Sequence, residues 1–85
     1  MNTMPDIERQ IRKILAKHAR LGLDVSTLTA DADLYRAGMT SQASVNVMLA
    51  LEGEFDIEFP DELLKRSVFG SIGAIRDAVA GIARA

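Results

Sequence analysis

Gly38-Met39-Thr40-Ser41-Gln42-Ala43-Ser44-Val45-Asn46-Val47-Met48-Leu49-Ala50-Leu51-Glu52-Gly53-Glu54-Phe55 is the stretch on which the fold turns. Gly38 breaks the chain, and a helix is predicted from Thr40 or Ser41 to Phe55. At about 100° per residue, Val47, Met48, Leu51 and Phe55 fall in one arc. Val45 and Leu49 fall outside it, beside Gln42 and Glu52. A single core stripe does not need both sets. Either this helix is buried on more than one side, or Val45 and Leu49 form an exposed apolar strip for a partner.

Upstream, Pro5 suits the first turn of another helix, with Asp6 and Glu8 at its positive end. Ile7, Ile11, Ile14, Leu15 and His18 recur at spacings of three and four, and Gly22 is expected to end that helix. Leu21 to Thr40 has no sustained period and reads as a long link pinned to the core by Leu23, Val25, Leu28, Leu34 and Tyr35. Downstream, Pro60 interrupts the helical pattern. Asp61 and Glu62 open a short helix carrying Leu63 and Leu64. Ser71 is a candidate N-cap for a last helix with Ile72, Ile75, Val79 and Ile82 on one face. No strand pattern or internal repeat is seen. The expectation is an all-α domain over residues 1–85, with three main helices, one short helix and a long first loop.

Composition bounds the function. Of 85 residues, 48% are apolar and 26% charged, which is too apolar for a disordered tail and enough for one small core. Ten Lys/Arg against twelve Asp/Glu give a net charge of −2, against the strongly basic face of a nucleic-acid binder. Zero cysteines exclude a disulfide framework, a thiolate nucleophile and a Cys-ligated zinc site. A single histidine, His18, argues against a His-based triad or metal site. Glu52, Glu54, Asp56 and Glu58 lack the spacing of a calcium loop. No catalytic and no metal-binding residues are therefore assigned. No apolar run of about 18 residues exists, so no membrane span is expected. Met1 to Asp6 lacks the pattern of a signal peptide, which points to the cytoplasm.

Charge is unevenly spread. Arg9, Arg12, Lys13, Lys17 and Arg20 make the first helix basic, on a face expected to be solvated. Ala37 to Leu64 carries Glu52, Glu54, Asp56, Glu58, Asp61 and Glu62 and no base. Between them, Thr40 and Ser41 put hydroxyls where loop becomes helix. Either is a plain N-cap by residue type. A phosphate ester there would instead face the positive end of the helix, a placement worth about 0.3–1 kcal/mol. The residues alone leave both readings open.

A longer string goes further. Asp33-Leu34, Gly38-x-x-Ser41, Val45-x-x-Met48-Leu49-Ala50-Leu51-Glu52, Glu54-Phe55-Asp56-Ile57-Glu58-Phe59-Pro60-Asp61-Glu62 and Ile72-x-x-Ile75 together resemble the acyl carrier protein family. The resemblance implies a four-helix bundle and a 4′-phosphopantetheine arm, with Ser41 at the family's attachment position. A phosphopantetheinyl transferase would move the arm from coenzyme A onto the Ser41 hydroxyl. The arm ends in a thiol, so a chain without cysteine could carry an acyl or aminoacyl group as a thioester. Partners implied are that transferase, a loading ligase and downstream acyl-transfer enzymes, met by a monomer. The alternative is a helical interaction module with no prosthetic group, in which Ser41 only caps.

The sequence also departs from the family pattern. Gly-x-Asp-Ser-Leu is the common motif, and here Thr40 and Gln42 replace the Asp and the Leu. Ala43, Asn46 and Gly53 stand where fatty-acid carriers often place acids. The partner-facing surface is therefore expected to rest on Met39, Thr40, Gln42, Val45, Asn46, Leu49, Glu52 and Gly53, with little charge. A fatty acyl cargo would need an apolar cleft, expected between Val47, Met48 and Phe69. A short polar cargo would not, and the neutral surface leans toward a specialised aminoacyl or polyketide-type carrier. The chain ends three residues after Ile82, which suggests free-standing use.

Overall fold

A computed structural model describes residues 4–84, the side chains of residues 4 and 84 excepted. The expectations resting on residues 1–3 and 85, a start unlike a signal peptide and a chain end without linker, lie outside the described residues in that part. Three helices form: α1 (Met4–His18), α2 (Ser41–Phe55) and α3 (Ile72–Arg84). No strand occurs among the described residues. The expected short helix is instead two 3-10 turns, Asp61–Leu63 and Arg66–Val68. Pro60 fixes the entry to the first, and Lys65 is extended between them.

The apolar spacing explains which faces meet. α1 buries Ile7, Ile11, Ile14 and Leu15, α2 buries Ala43, Val47 and Leu51, and α3 buries Ile72, Ile75, Val79 and Ala80. These stripes pack on one another with Leu34, Phe59 and Phe69 from the connections. The Phe59 and Phe69 rings lie 5.3 Å apart and tilted by 59°. That arrangement suits the aromatic quadrupole.

Three details of the first half depart from expectation. α1 stops at His18, and the left-handed backbone that follows is at Arg20 (φ 56°), not at Gly22. The earlier turn lets Ala19 enter the core and brings Val25 back onto α1. Arg12 is not part of a solvated basic face. Its guanidinium donates to the carbonyls of Val25 (3.0 Å) and Leu28 (2.9 Å) and pairs with Glu8 (3.1 Å). It thereby ties two loop carbonyls to α1, that of Leu28 and that of Val25, which also accepts the Leu28 N–H at 3.0 Å. Leu23 is exposed, whereas Val25 and Leu34 are buried and Leu28 and Tyr35 half-buried. Asp24 caps the 3-10 turn Val25–Thr27 by accepting the Ser26 N–H at 2.9 Å, which turns Val25 inward and leaves Leu23 outside. The same bond holds the Asp24 carboxyl below its ordinary range.

The long loop is tied to the head of α3. Leu34 N–H donates to the Gly70 carbonyl and Gly73 N–H to the Ala30 carbonyl, both at 2.8 Å. A side chain at Gly73 would bring its Cβ to 3.2 Å from the Ala30 oxygen, a tight approach that the loop would have to relieve by a few tenths of an ångström. Ser71 caps α3 as expected, its hydroxyl accepting from the Ala74 N–H at 3.0 Å. These ties fix where the chain re-emerges at Gly38, and hence where α2 begins.

Candidate functional site

The head of α2 is built by four successive residues. Gly38 has φ +120°, a backbone that L side chains rarely adopt, and its N–H donates to the Tyr35 carbonyl at 3.1 Å. That turn sends Met39 into the core, only 3% exposed, with its N–H on the Leu34 carbonyl. Met39 is therefore removed from the expected partner-facing set, because the Gly38 turn needs an apolar anchor there. Thr40 is the N-cap: its backbone is extended and its hydroxyl accepts the Ala43 N–H at 3.0 Å. Ser41 is the first helical residue and is exposed.

Thr40 thus does the capping, which leaves the Ser41 hydroxyl free of that task. The first helical bond runs from Ser44 N–H to the Thr40 carbonyl. The N–H groups of Ser41 and Gln42 precede it, at the positive end of the helix. No acid occupies the first turn. A phosphodiester on Ser41 would meet partial positive charge and no fixed negative charge from the first turn of its own helix.

Ser41, Val45 and Leu49 recur at i, i+4 and so share a face. Val45 is 49% and Leu49 56% exposed. Of the two arrangements the sequence left open for α2, the exposed strip is the one found. Gln42, Asn46 and Gly53 are exposed as well. Glu52 differs: it is half-buried, and its carboxylate accepts the Phe59 N–H at 2.9 Å. Its charge serves the turn after α2, where that N–H would otherwise lack an acceptor, and it faces its own chain before any partner.

Beside Ser41 runs a groove of about 430 Å³ bounded by Tyr35, Ser44, Val45, Met48, Leu64 and Phe69, with Lys65 and Arg66 also on its wall. Met48 and Phe69 line it as expected, but Val47 does not, being fully buried against the core. Tyr35, Leu64, Lys65 and Arg66 were not anticipated. One signal for the cations was present: the base-free run from Ala37 ends at the adjacent pair Lys65-Arg66. The Arg66 guanidinium lies 3.8 Å from the centre of the Tyr35 ring, a cation–π contact that sequence spacing could not disclose. These residues fit a phosphopantetheine arm: an exposed hydroxyl, a cationic wall for its phosphate and an apolar floor.

Comparison with known proteins decides the family. The family model described as a phosphopantetheine attachment site matches residues 9–79. The chain belongs to this phosphopantetheine-attachment family. The group the family attaches is 4′-phosphopantetheine, and the chain is a homologue of carrier proteins for acyl and aminoacyl groups. It is 56% identical over 69 residues to an aminoacyl carrier protein of Agrobacterium fabrum, covering 81% of this chain and 83% of that one. In a crystal structure, an engineered glycine:[carrier protein] ligase of Bradyrhizobium japonicum is complexed with a carrier protein from Agrobacterium tumefaciens and ATP. This chain is similar to a chain of that complex at 53% identity with a TM-score of 0.87, covering 89% of this chain and 99% of the other. A solution structure of a protein from Agrobacterium tumefaciens aligns at 52% identity and a TM-score of 0.73, covering 91% and 93%. The all-helical architecture is thus that of a carrier protein. Among the described residues no helix is long and apolar enough to cross a membrane, and no group of three or more His, Asp or Glu could hold a metal.

Proposed function

We propose that this chain is an aminoacyl carrier whose arm is attached at Ser41. The observation that carries the reading is the exposed Ser41 hydroxyl, released from capping by Thr40, in a chain 56% identical to an aminoacyl carrier protein. A phosphopantetheinyl transferase uses coenzyme A as donor. The Ser41 oxygen attacks the pantetheine-bearing phosphorus of coenzyme A, and the pyrophosphate P–O bond breaks. Adenosine 3′,5′-bisphosphate leaves, and the serine proton passes to the transferase or solvent. The Ser41 oxygen thus becomes the ester link of a phosphodiester. The arm supplies the terminal thiol that this chain lacks, and the aminoacyl group is carried there as a thioester. The chain is not itself an enzyme in this reading: Ser41 is a tether, and no base is needed on a chain whose hydroxyl is activated by the transferase.

Residues 1–85 act as one carrier domain and as a monomer. An aminoacyl ligase loads the arm, and downstream acyl-transfer enzymes unload it. Val45 and Leu49, with Gln42 and Asn46 beside them, form the surface these partners meet, and Thr40 and Gly53 border it. Val47, expected to line an acyl cleft, is instead shut into the core, which fits a cargo that needs no such cleft better than a long acyl chain. Dependence on coenzyme A and on an ATP-using ligase supports a cytoplasmic setting.

Loading tests the cargo. The arm-bearing protein, mixed with ATP, an aminoacyl-carrier ligase and a mixture of amino acids, is expected to gain the mass of one aminoacyl group. Hydroxylamine is expected to remove it, as it cleaves thioesters. Acylation by fatty-acid enzymes with no aminoacyl loading would overturn the aminoacyl assignment.

A further inference from the structure

Between residues 37 and 75 the chain has two cations, Lys65 and Arg66, and both stand on the wall of the groove that opens at Ser41. Both are exposed, and among the described residues neither makes an ion pair with a carboxylate. The other cations near the core are committed elsewhere. Arg12 holds loop carbonyls and Glu8, and Arg76 pairs with Glu8 and Asp77. Arg66 is moreover positioned. Its guanidinium rests 3.8 Å from the Tyr35 ring centre, which reduces the entropy lost when it takes a ligand. Arg66 also borders a second groove with Asp31 and Asp33. Those carboxylates already accept from the Thr29 hydroxyl and from the Tyr35 and Arg36 N–H groups.

Two unpaired cations beside a neutral helix head are an anion site in search of its anion. Resting on the attachment of the arm at Ser41, we propose that Lys65 and Arg66 bind the phosphodiester of that arm, holding its first segment along the groove floor of Val45, Met48 and Phe69. Arg66 offers a planar fork on one side of the phosphate oxygens, and Lys65 a mobile ammonium on the other. The role that an acid-rich helix head could not play is thus available here: the arm is drawn toward its own carrier. The same two cations disfavour the ammonium of an aminoacyl cargo in the groove, so the loaded end is left in solvent for partner enzymes.

The test compares apo and arm-bearing protein, each labelled with ¹⁵N, as wild type, Lys65→Gln and the double variant Lys65→Gln/Arg66→Gln. Intact mass first establishes attachment. The amides of Lys65, Arg66 and Ser67 are expected to shift on attachment in the wild type. The ³¹P line of the phosphodiester is expected to be broader than in the double variant. Both effects should shrink in Lys65→Gln, vanish in the double variant and fade in high salt, since the pair is exposed. Lys65 is exposed, and the apo spectra show whether each variant keeps its fold. Attachment with unmoved amides at these positions, or with the same ³¹P line in wild type and double variant, overturns the proposal. A wild-type mass that does not rise with transferase overturns the attachment at Ser41 instead, and this proposal with it.

Discussion

At the scale of single residues, the site depends on a division of labour between neighbours. Thr40 caps, Met39 anchors, Gly38 makes the turn and Ser41 is left exposed. The sequence placed hydroxyls at the head of a helix but could not say which one capped. Thr40 and Ser41 are equally good caps by type, and only the extended backbone at Thr40 separates them. Met39 was misplaced for a related reason. A residue between a glycine and a cap has no periodicity to show its direction, and the φ of +120° at Gly38 settles it. Gly38→Ala forces a side chain into that backbone. It is expected to destabilise the fold by about 1–3 kcal/mol, measured by urea unfolding. Unchanged stability would mean that the turn is not fixed as described.

At the scale of elements, helices that carry a core stripe were legible and connections were less so. Val47 and Leu51 are fully buried, as their spacing required, and Val45 and Leu49 are not. The end of α1 was missed because glycine is the commoner helix stop, yet Arg20 takes the left-handed position and Gly22 does not. The anchoring of the first loop was missed because it runs through Arg12, a residue whose type signals solvent. Its long stem and planar head let it reach two carbonyls across the loop. Gly53 lies inside α2 with ordinary backbone and open space where a Cβ would sit. Gly53→Ala should therefore raise stability by about 1 kcal/mol through helix propensity alone. Thermal unfolding reads this directly, and a lower midpoint would show a constraint that the fold does not reveal.

For the whole molecule, the net charge of −2 conceals an arrangement with consequences for recognition. Glu54, Asp56, Glu58, Asp61 and Glu62 are exposed at and beyond the C-terminal end of α2, while Ser41 lies at the other end. Asp61 and Glu62 lie on the turn that leads back to the groove at Leu64 and Lys65, but the fifteen residues of α2 put Glu54 and Asp56 roughly 20 Å from Ser41. That exceeds the Debye length of about 8 Å in physiological salt. The acidic stretch was visible in the sequence, but its distance from Ser41 became clear only with the helix in place. Partners that act at Ser41 should then be held more by the Val45–Leu49 strip than by charge. Binding to an aminoacyl-carrier ligase should weaken about tenfold or more in Val45→Ala/Leu49→Ala, as for a truncated interface centre. It should change little when the salt concentration is raised. Strong salt dependence with little effect of the double variant would reverse that assignment.

The proposed carrier function depends on one covalent bond, between the Ser41 oxygen and the phosphorus of the arm. The direct measurement is intact mass after incubation with coenzyme A and a broad-specificity phosphopantetheinyl transferase. The wild type is expected to gain about 340 Da, the mass of the arm added by a covalent modification, and Ser41→Ala is expected to gain none. A wild type that stays unmodified with active transferase, or a Ser41→Ala variant that gains the same mass, would contradict the account.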